Sequence, residues 1–281
     1  MANPAFFSDL HVHTHRSLCA PRTTEPETYL PHCESEGIRV IGFSDHVYPT
    51  EMIHRYGYPA EDRMSRLLSL KPVLEQTQKE TNVKLLFGCE IDYFDCEGGP
   101  YISPEESLNF DYVLIAASHI LNYPHMYTAY DLQNPDVLRR LTIERFVAAC
   151  KLDYPVPTGI CHPLYPICSP HQAEIIDGMS DACLDELFCM AKEKNISIEV
   201  HACLYRKDTP MGVHGLSDHY LRILSAAKKA GCKFHFGSDA HDARAFVGSH
   251  EKLFRAAEIV GITEDDLWDV AKGILQNQQK Y

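Results

Sequence analysis

Seven short β-rich runs, at residues 6–10, 40–44, 84–88, 111–117, 158–161, 197–200 and 233–237, constrain this chain more than any other feature. The segments between them carry apolar residues at helical spacing. Cys183, Leu184, Leu187 and Ala191 form one such stripe, and Tyr220, Ile223, Leu224 and Ala227 another. Ser180 and Ser217 stand where helices should start, and Gly37 and Gly231 where helices should end before a strand. Pro31 implies a late start or a kink in the first helix, and residues 97–104 and 123–135 read as longer loops. Strand and helix alternating seven times imply a parallel sheet with right-handed crossovers, either doubly wound or closed into a barrel. No internal repeat, low-complexity tract or linker divides the chain, so residues 1–281 are expected to form a single barrel domain.

The residues at the end of each run decide the chemistry. Asp9, His11 and His13 come with the first, Asp45 and His46 with the second, and Glu90 with the third. His119, His162 and His201 come after the next three, and Asp239 with His241 after the last. In a parallel barrel all C-terminal strand ends meet on one face, so residues spread from 11 to 241 converge. His11-Val12-His13 puts two imidazoles on one face of an extended segment, which suits a metal, although such pairs also arise by chance. A lone His119 or His162 can be a hydrogen-bonded core residue, Glu90 a paired carboxylate, and Asp239 with His241 turn formers. That bland account has to hold separately at seven corresponding positions, so the metal reading is preferred. About five His with Glu and Asp exceed what one ion needs and point to two or three divalent metal ions, with zinc, manganese and iron all suited to the ligands.

The remaining histidines carry less. His32, His54, His171, His214, His219 and His250 read as surface or capping residues, and His235 as facing away from the metals. His15 and His125 stay open. Eleven cysteines without C-x-x-C pairs suit reduced thiols. A net charge of −13 argues against long nucleic acids and anionic membranes as partners. The longest purely apolar stretch is about five residues, far below a membrane span. The first residues lack a signal-peptide pattern, so a cytoplasmic location is expected.

The ordered set DLHVHT, SDH, GCEIDY, ASH, CHP and GSDAH, between about residues 7 and 243, closely resembles the PHP (polymerase and histidinol phosphatase) family of metal-dependent phosphoesterases. GCEIDY and LYRK look most like its histidinol-phosphatase branch. The resemblance implies a distorted (β/α)7 barrel with a trinuclear site. His11, His13, Glu90 and Asp239 would hold one metal, and Glu90 would bridge to a second held by His119 and His162. His46 and His241 would hold a third. Family members supply a further His or Asp five or six residues beyond the H-x-H pair, where this chain has Leu18 and Cys19. Cys19 as a thiolate, or His15 reaching in, is the available replacement.

The expected reaction is hydrolysis of a small-molecule phosphate monoester by a metal-bridged hydroxide, with L-histidinol phosphate as the candidate substrate and a place in histidine biosynthesis. Asp239, His241 and His201 are the candidate catalytic residues, with His201 as proton donor to the leaving alkoxide, although the resemblance places Asn there. Arg206 and Arg16 are candidates for gripping the phosphate, against plain ion pairing for either. Asp92, Asp95 and Glu97 suit recognition of an amino or imidazole group, or a solvated loop. Rival readings are a phosphodiesterase of the same family, a binuclear amidohydrolase, and a non-catalytic metal-stabilised binding module. The amidohydrolase reading lacks the bridging Lys at a strand end.

Overall fold

In a computed structural model, residues 6–48, 62–92, 102–120, 128–166, 169–202 and 218–278 are described. All seven predicted strands form: β1 (Ser8–Val12), β2 (Val40–Phe43) continued by β3 (His46–Val47), β4 (Lys84–Asp92), β5 (Tyr112–Ala116), β6 (Thr158–Ile160), β7 (Ser197–His201) and β8 (Phe234–Gly237). All pairings are parallel, in the order β1-β2-β4-β5-β6-β7-β8. β2 and β3 are two halves of one barrel strand: β2 pairs the first half of β4, and β3 pairs Glu90 and Ile91 in the second. The ends approach closure, because Asp239 N–H donates to the His11 carbonyl at 2.8 Å and His13 N–H to the Ala240 carbonyl at 2.9 Å. The result is a nearly closed seven-stranded α/β barrel ringed by helices, as the alternation requires.

The helices start and stop where the punctuation places them. Ser180 caps helix Asp181–Glu193 by accepting from Cys183 N–H, and Pro31 sits in the first turn of helix Leu30–Glu36. Gly37 and Gly231 take the left-handed φ of 75° and 81° that ends a helix cheaply only for glycine. Ser217 lies outside the described residues. Part of the region read as a loop is instead a helix, Ala129–Gln133, started by a reciprocal Thr128–Asp131 cap that five residues of weak periodicity do not reveal.

Inside the barrel, Leu10, Val40, Leu86, Tyr112, Leu114, Ala116 and Cys161 pack with Trp268, Ala271 and Leu275, so the last helix (Asp269–Gln278) plugs the end opposite the histidines. Tyr112 fills this layer because the next two strands along the sheet carry glycine. A Cβ on Gly42 would come within 2.1 Å of its hydroxyl, and one on Gly88 within 2.3 Å of its ring. The space above this apolar layer holds the polar strand ends.

Candidate metal centre

Strand alternation aims the site residues inward. On β4, Leu86, Gly88 and Glu90 face the interior and Leu85, Phe87 and Cys89 the helices, so Glu90 lies within the strand rather than after it. β1 departs from simple alternation. Its register with β2 shifts between Asp9 and Val12, so successive residues Leu10 and His11 both face inward while Asp9 turns out toward helix Ser249–Val260. That irregularity re-aims the H-x-H pair into the centre.

Glu90, fully buried, is the hub. Its Oε2 lies 2.8 Å from His46 Nδ1, 3.3 Å from His11 Nε2 and 3.5 Å from His13 Nε2. Its Oε1 lies 3.1 Å from His162 Nε2, 3.3 Å from Cys161 Sγ and 3.9 Å from His119 Nε2. Asp239 Oδ1 stands 3.0 Å from His13 Nε2, 3.5 Å from His11 Nε2 and 3.6 Å from His241 Nδ1. Three of the resulting groups have donor atoms within 4.8 Å of one another: His11, His13, Glu90 and Asp239; His13, His46 and His241; and His11, Glu90, Cys161 and His162. Buried His11 Nε2 and Glu90 Oε2 face each other at 3.3 Å without meeting hydrogen-bond geometry, and a cation between such donors would satisfy both. The donor set therefore fits divalent metal ions.

The ring nitrogens turned away from the centre are each anchored. His11 Nδ1–H donates to Glu199 at 2.7 Å and His119 Nδ1–H to Asp92 at 2.5 Å. His162 Nδ1 pairs with Ser118 Oγ at 2.5 Å, His13 Nδ1 with Ser17 Oγ at 2.9 Å, and His241 Nδ1 with the Asp239 carbonyl at 2.9 Å. Such partners fix tautomer and orientation, leaving the other nitrogen for a metal. His162 and Asp239 are held at φ 33° and 54°, left-handed values that L residues adopt at a cost. Hydrogen bonds secure both: His162 N–H to Glu199 at 2.6 Å and Asp239 N–H to the His11 carbonyl.

Electrostatics reflect this crowding. Burial disfavours ionised Glu90 and Asp239, but the imidazoles beside them outweigh it and hold both carboxyls well below their usual range. Burial lowers His13 strongly, aided by His241 and His46, and brings His162 down to about 4. His11 and His46 move the other way, because Glu199 and Glu90 overcome the same burial. Cys19 Sγ lies 3.0 Å from His241 Nε2, and His46 and His241 bring its thiol down to about 5 against the upward pull of desolvation.

His11, His13, His46, Glu90, His119, His162, Asp239 and His241 thus converge on one end of the barrel, whereas Asp9 turns outward. His201 joins them at 3.2 Å from Glu199, but Arg206 lies outside the described residues, as do Asp95 and Glu97. Arg16 is buried and pairs with Glu25, beside His15. His15 faces Glu25 at 3.0 Å, so of the two replacements for the expected further ligand it is Cys19 that faces the site. Asp45 is not aimed at the centre: it accepts four hydrogen bonds from Thr14 and Ser17. Asp92 is 3% exposed and committed to His119, not to a solvated loop. His235 faces the interior, bonded to Ser197 and one layer below the site, rather than away from it, because Phe234 and Phe236 take the outward positions. His250 is buried between Asp9 and Glu36 and is no surface residue. Sequence reasoning passes over Glu199 and Ser118, although a Glu centred in the strand sequence SIEVH is itself a signal of a polar interior.

A parallel barrel carrying carboxylates and imidazoles at its C-terminal strand ends defines the class of metal-centred barrel proteins. The PHP domain model matches residues 9–203, and the chain belongs to that family, which supports a metal-dependent phosphoesterase and hydrolase. No curated protein is significantly similar to it. Among solved structures, a candidate histidinol phosphatase from Listeria monocytogenes aligns with a TM-score of 0.61 at 10% identity, over 87% of this chain and 99% of its own, and shares the fold. A chain from an archaeal ribonuclease P bound to mature tRNA aligns at 0.41 with 13% identity, covering 89% of each chain. A candidate α-L-fucosidase from Bacteroides thetaiotaomicron aligns at 0.37 with 13% identity, over 94% of this chain and 99% of its own. Among the described residues, no helix is long and apolar enough to cross a membrane.

Proposed function

We propose that this protein hydrolyses the phosphate monoester of a small molecule, with L-histidinol phosphate as the first candidate substrate. The observation that carries the reading is Glu90, a fully buried carboxylate whose two oxygens face separate sets of imidazoles. His11, His13, Glu90 and Asp239 would hold one divalent ion, Glu90, His119 and His162 a second, and His46 and His241 a third. Such ions lower the pKa of water toward neutrality and neutralise charge growing on phosphoryl oxygens.

The chain's own groups divide the remaining work. Asp239, kept ionised by His11 and His13, is the acceptor for the proton of the attacking water, with His241 beside it. His201, buried against Glu199, donates a proton to the leaving alkoxide, so ester and water give alcohol and inorganic phosphate. Arg206 would grip the phosphate; Arg16, already paired with Glu25, would serve as a secondary contact. The substrate candidate rests on GCEIDY and LYRK, and is in keeping with the activity ascribed to the Listeria protein.

The test is phosphate release from L-histidinol phosphate, sugar phosphates and a bis-ester, using chelated protein and protein reloaded with manganese, zinc or iron. Metal-dependent preference for histidinol phosphate supports the proposal. Activity confined to the bis-ester, or to an amide or lactam, overturns it.

A further inference from the structure

The outer edge of the centre differs chemically from its interior. Cys19 Sγ lies 3.0 Å from His241 Nε2, and the Tyr48 hydroxyl stands 3.2 Å from the sulfur. Independently of the thiol, the ring nitrogens of His13, His46 and His241 lie within 4.8 Å of one another, and His46 is 8% exposed. The turn that carries Cys19 is held by its own hydrogen bonds. Asp45 accepts from the backbone and hydroxyl groups of both Thr14 and Ser17, and Ala20 N–H donates to the Ser17 carbonyl. The sulfur is therefore carried by a loop whose backbone is tied to the barrel.

We infer that Cys19, His46 and His241 form a thiolate–imidazole position that selects a thiophilic divalent ion such as zinc, whereas the inner set of His11, His13, Glu90 and Asp239 also accepts manganese. The inference rests on the metal-centre reading above and adds selectivity to it. Thiolate ligands favour zinc-like ions over manganese or magnesium, while mixed carboxylate and imidazole sets discriminate less. Binding forms a sulfur–metal bond and releases to solvent the proton shared between the sulfur and the His241 ring, with no change of oxidation state. The same thiol is exposed, so until a metal covers it, it is open to alkylation.

Stepwise cobalt titration of the chelated full-length protein separates the possibilities. Wild type is expected to show a sulfur-to-cobalt charge-transfer band that Cys19→Ser abolishes, with one fewer ion bound, while Cys161→Ala, which removes the other thiol near Glu90, keeps it. In wild type alone, zinc should slow iodoacetamide labelling of Cys19, followed by peptide mass spectrometry, at least tenfold, and manganese should not. Cobalt binding without the band, or labelling indifferent to zinc, overturns the inference and leaves the metal centre standing. Absence of cobalt binding in every variant overturns both.

Discussion

His11 offers Nε2 to Glu90 and Asp239 because its Nδ1–H is held by Glu199, which also takes the His162 backbone N–H and faces His201. One buried carboxylate thus orients a candidate ligand, restrains the strained backbone of another and neighbours the proposed proton donor. Glu199→Gln keeps the shape but removes the charge that holds the His11 proton on Nδ1. Metal affinity is expected to fall about ten- to hundredfold, the range for loss of such an orienting partner. Competition with a fluorescent chelator measures it, and unchanged affinity would show that Glu199 only fills space. The candidate ligands are legible in the sequence because strand-end position and residue type coincide at each of them. Glu199 and Ser118 are not, since their importance lies in a partner nitrogen that only the closed barrel supplies.

Three elements meet at His250. Its Nε2 lies 2.9 Å from Asp9 Oδ2 on β1, and its Nδ1 lies 2.7 Å from Glu36 Oε2 at the end of helix Leu30–Glu36. Asp9 in turn accepts the backbone N–H groups of His11 and Ser238 at 3.1 Å each, so this clasp steadies the barrel seam beside two candidate ligands. Burial alone would lower the His250 pKa, but the two carboxylates raise it to about 9. A folded-state pKa above the unfolded value of about 6.5 contributes stability that is complete below about pH 6.5 and fades as pH rises through 9. His250→Ala is expected to cost about 3 kcal/mol near pH 6, because Asp9 is left buried without its cation. Urea unfolding at about pH 6 and about pH 10 should show the gap from wild type narrowing in alkali; a constant gap would mean that the ring contributes packing alone. The strands and most helix ends are readable from periodicity and capping residues. The clasp is not, because helical spacing around His250 says nothing of a carboxylate 241 positions away that a shift in strand register turns outward.

Over the whole molecule, the centre gathers ionised Glu90, Asp239 and Glu199 in a chain already at −13, and their charge is met in part by protons on imidazoles. His11, His46 and His119 are raised, and His241 reaches about 9, so near neutral pH these groups hold protons that an incoming cation must displace. Metal binding is then linked to proton release, and apparent affinity must climb with pH until those imidazoles are neutral. Because the site draws on β1, β3, β4 and the loops after β5, β6 and β8, an ion bound there ties the barrel across its seam and favours only the folded chain. At a hundredfold excess over Kd the linkage is about 2.7 kcal/mol, which for a chain of this size raises Tm on the order of 5 °C. Calorimetry of chelated and zinc-loaded protein should show that rise, larger at about pH 8 than at about pH 6 for the same zinc concentration. Titration in buffers of different ionisation enthalpy should find protons released on binding. A Tm shift independent of pH, with no protons released, would mean that zinc binds away from these imidazoles, and the site would lose its claim to be the metal centre.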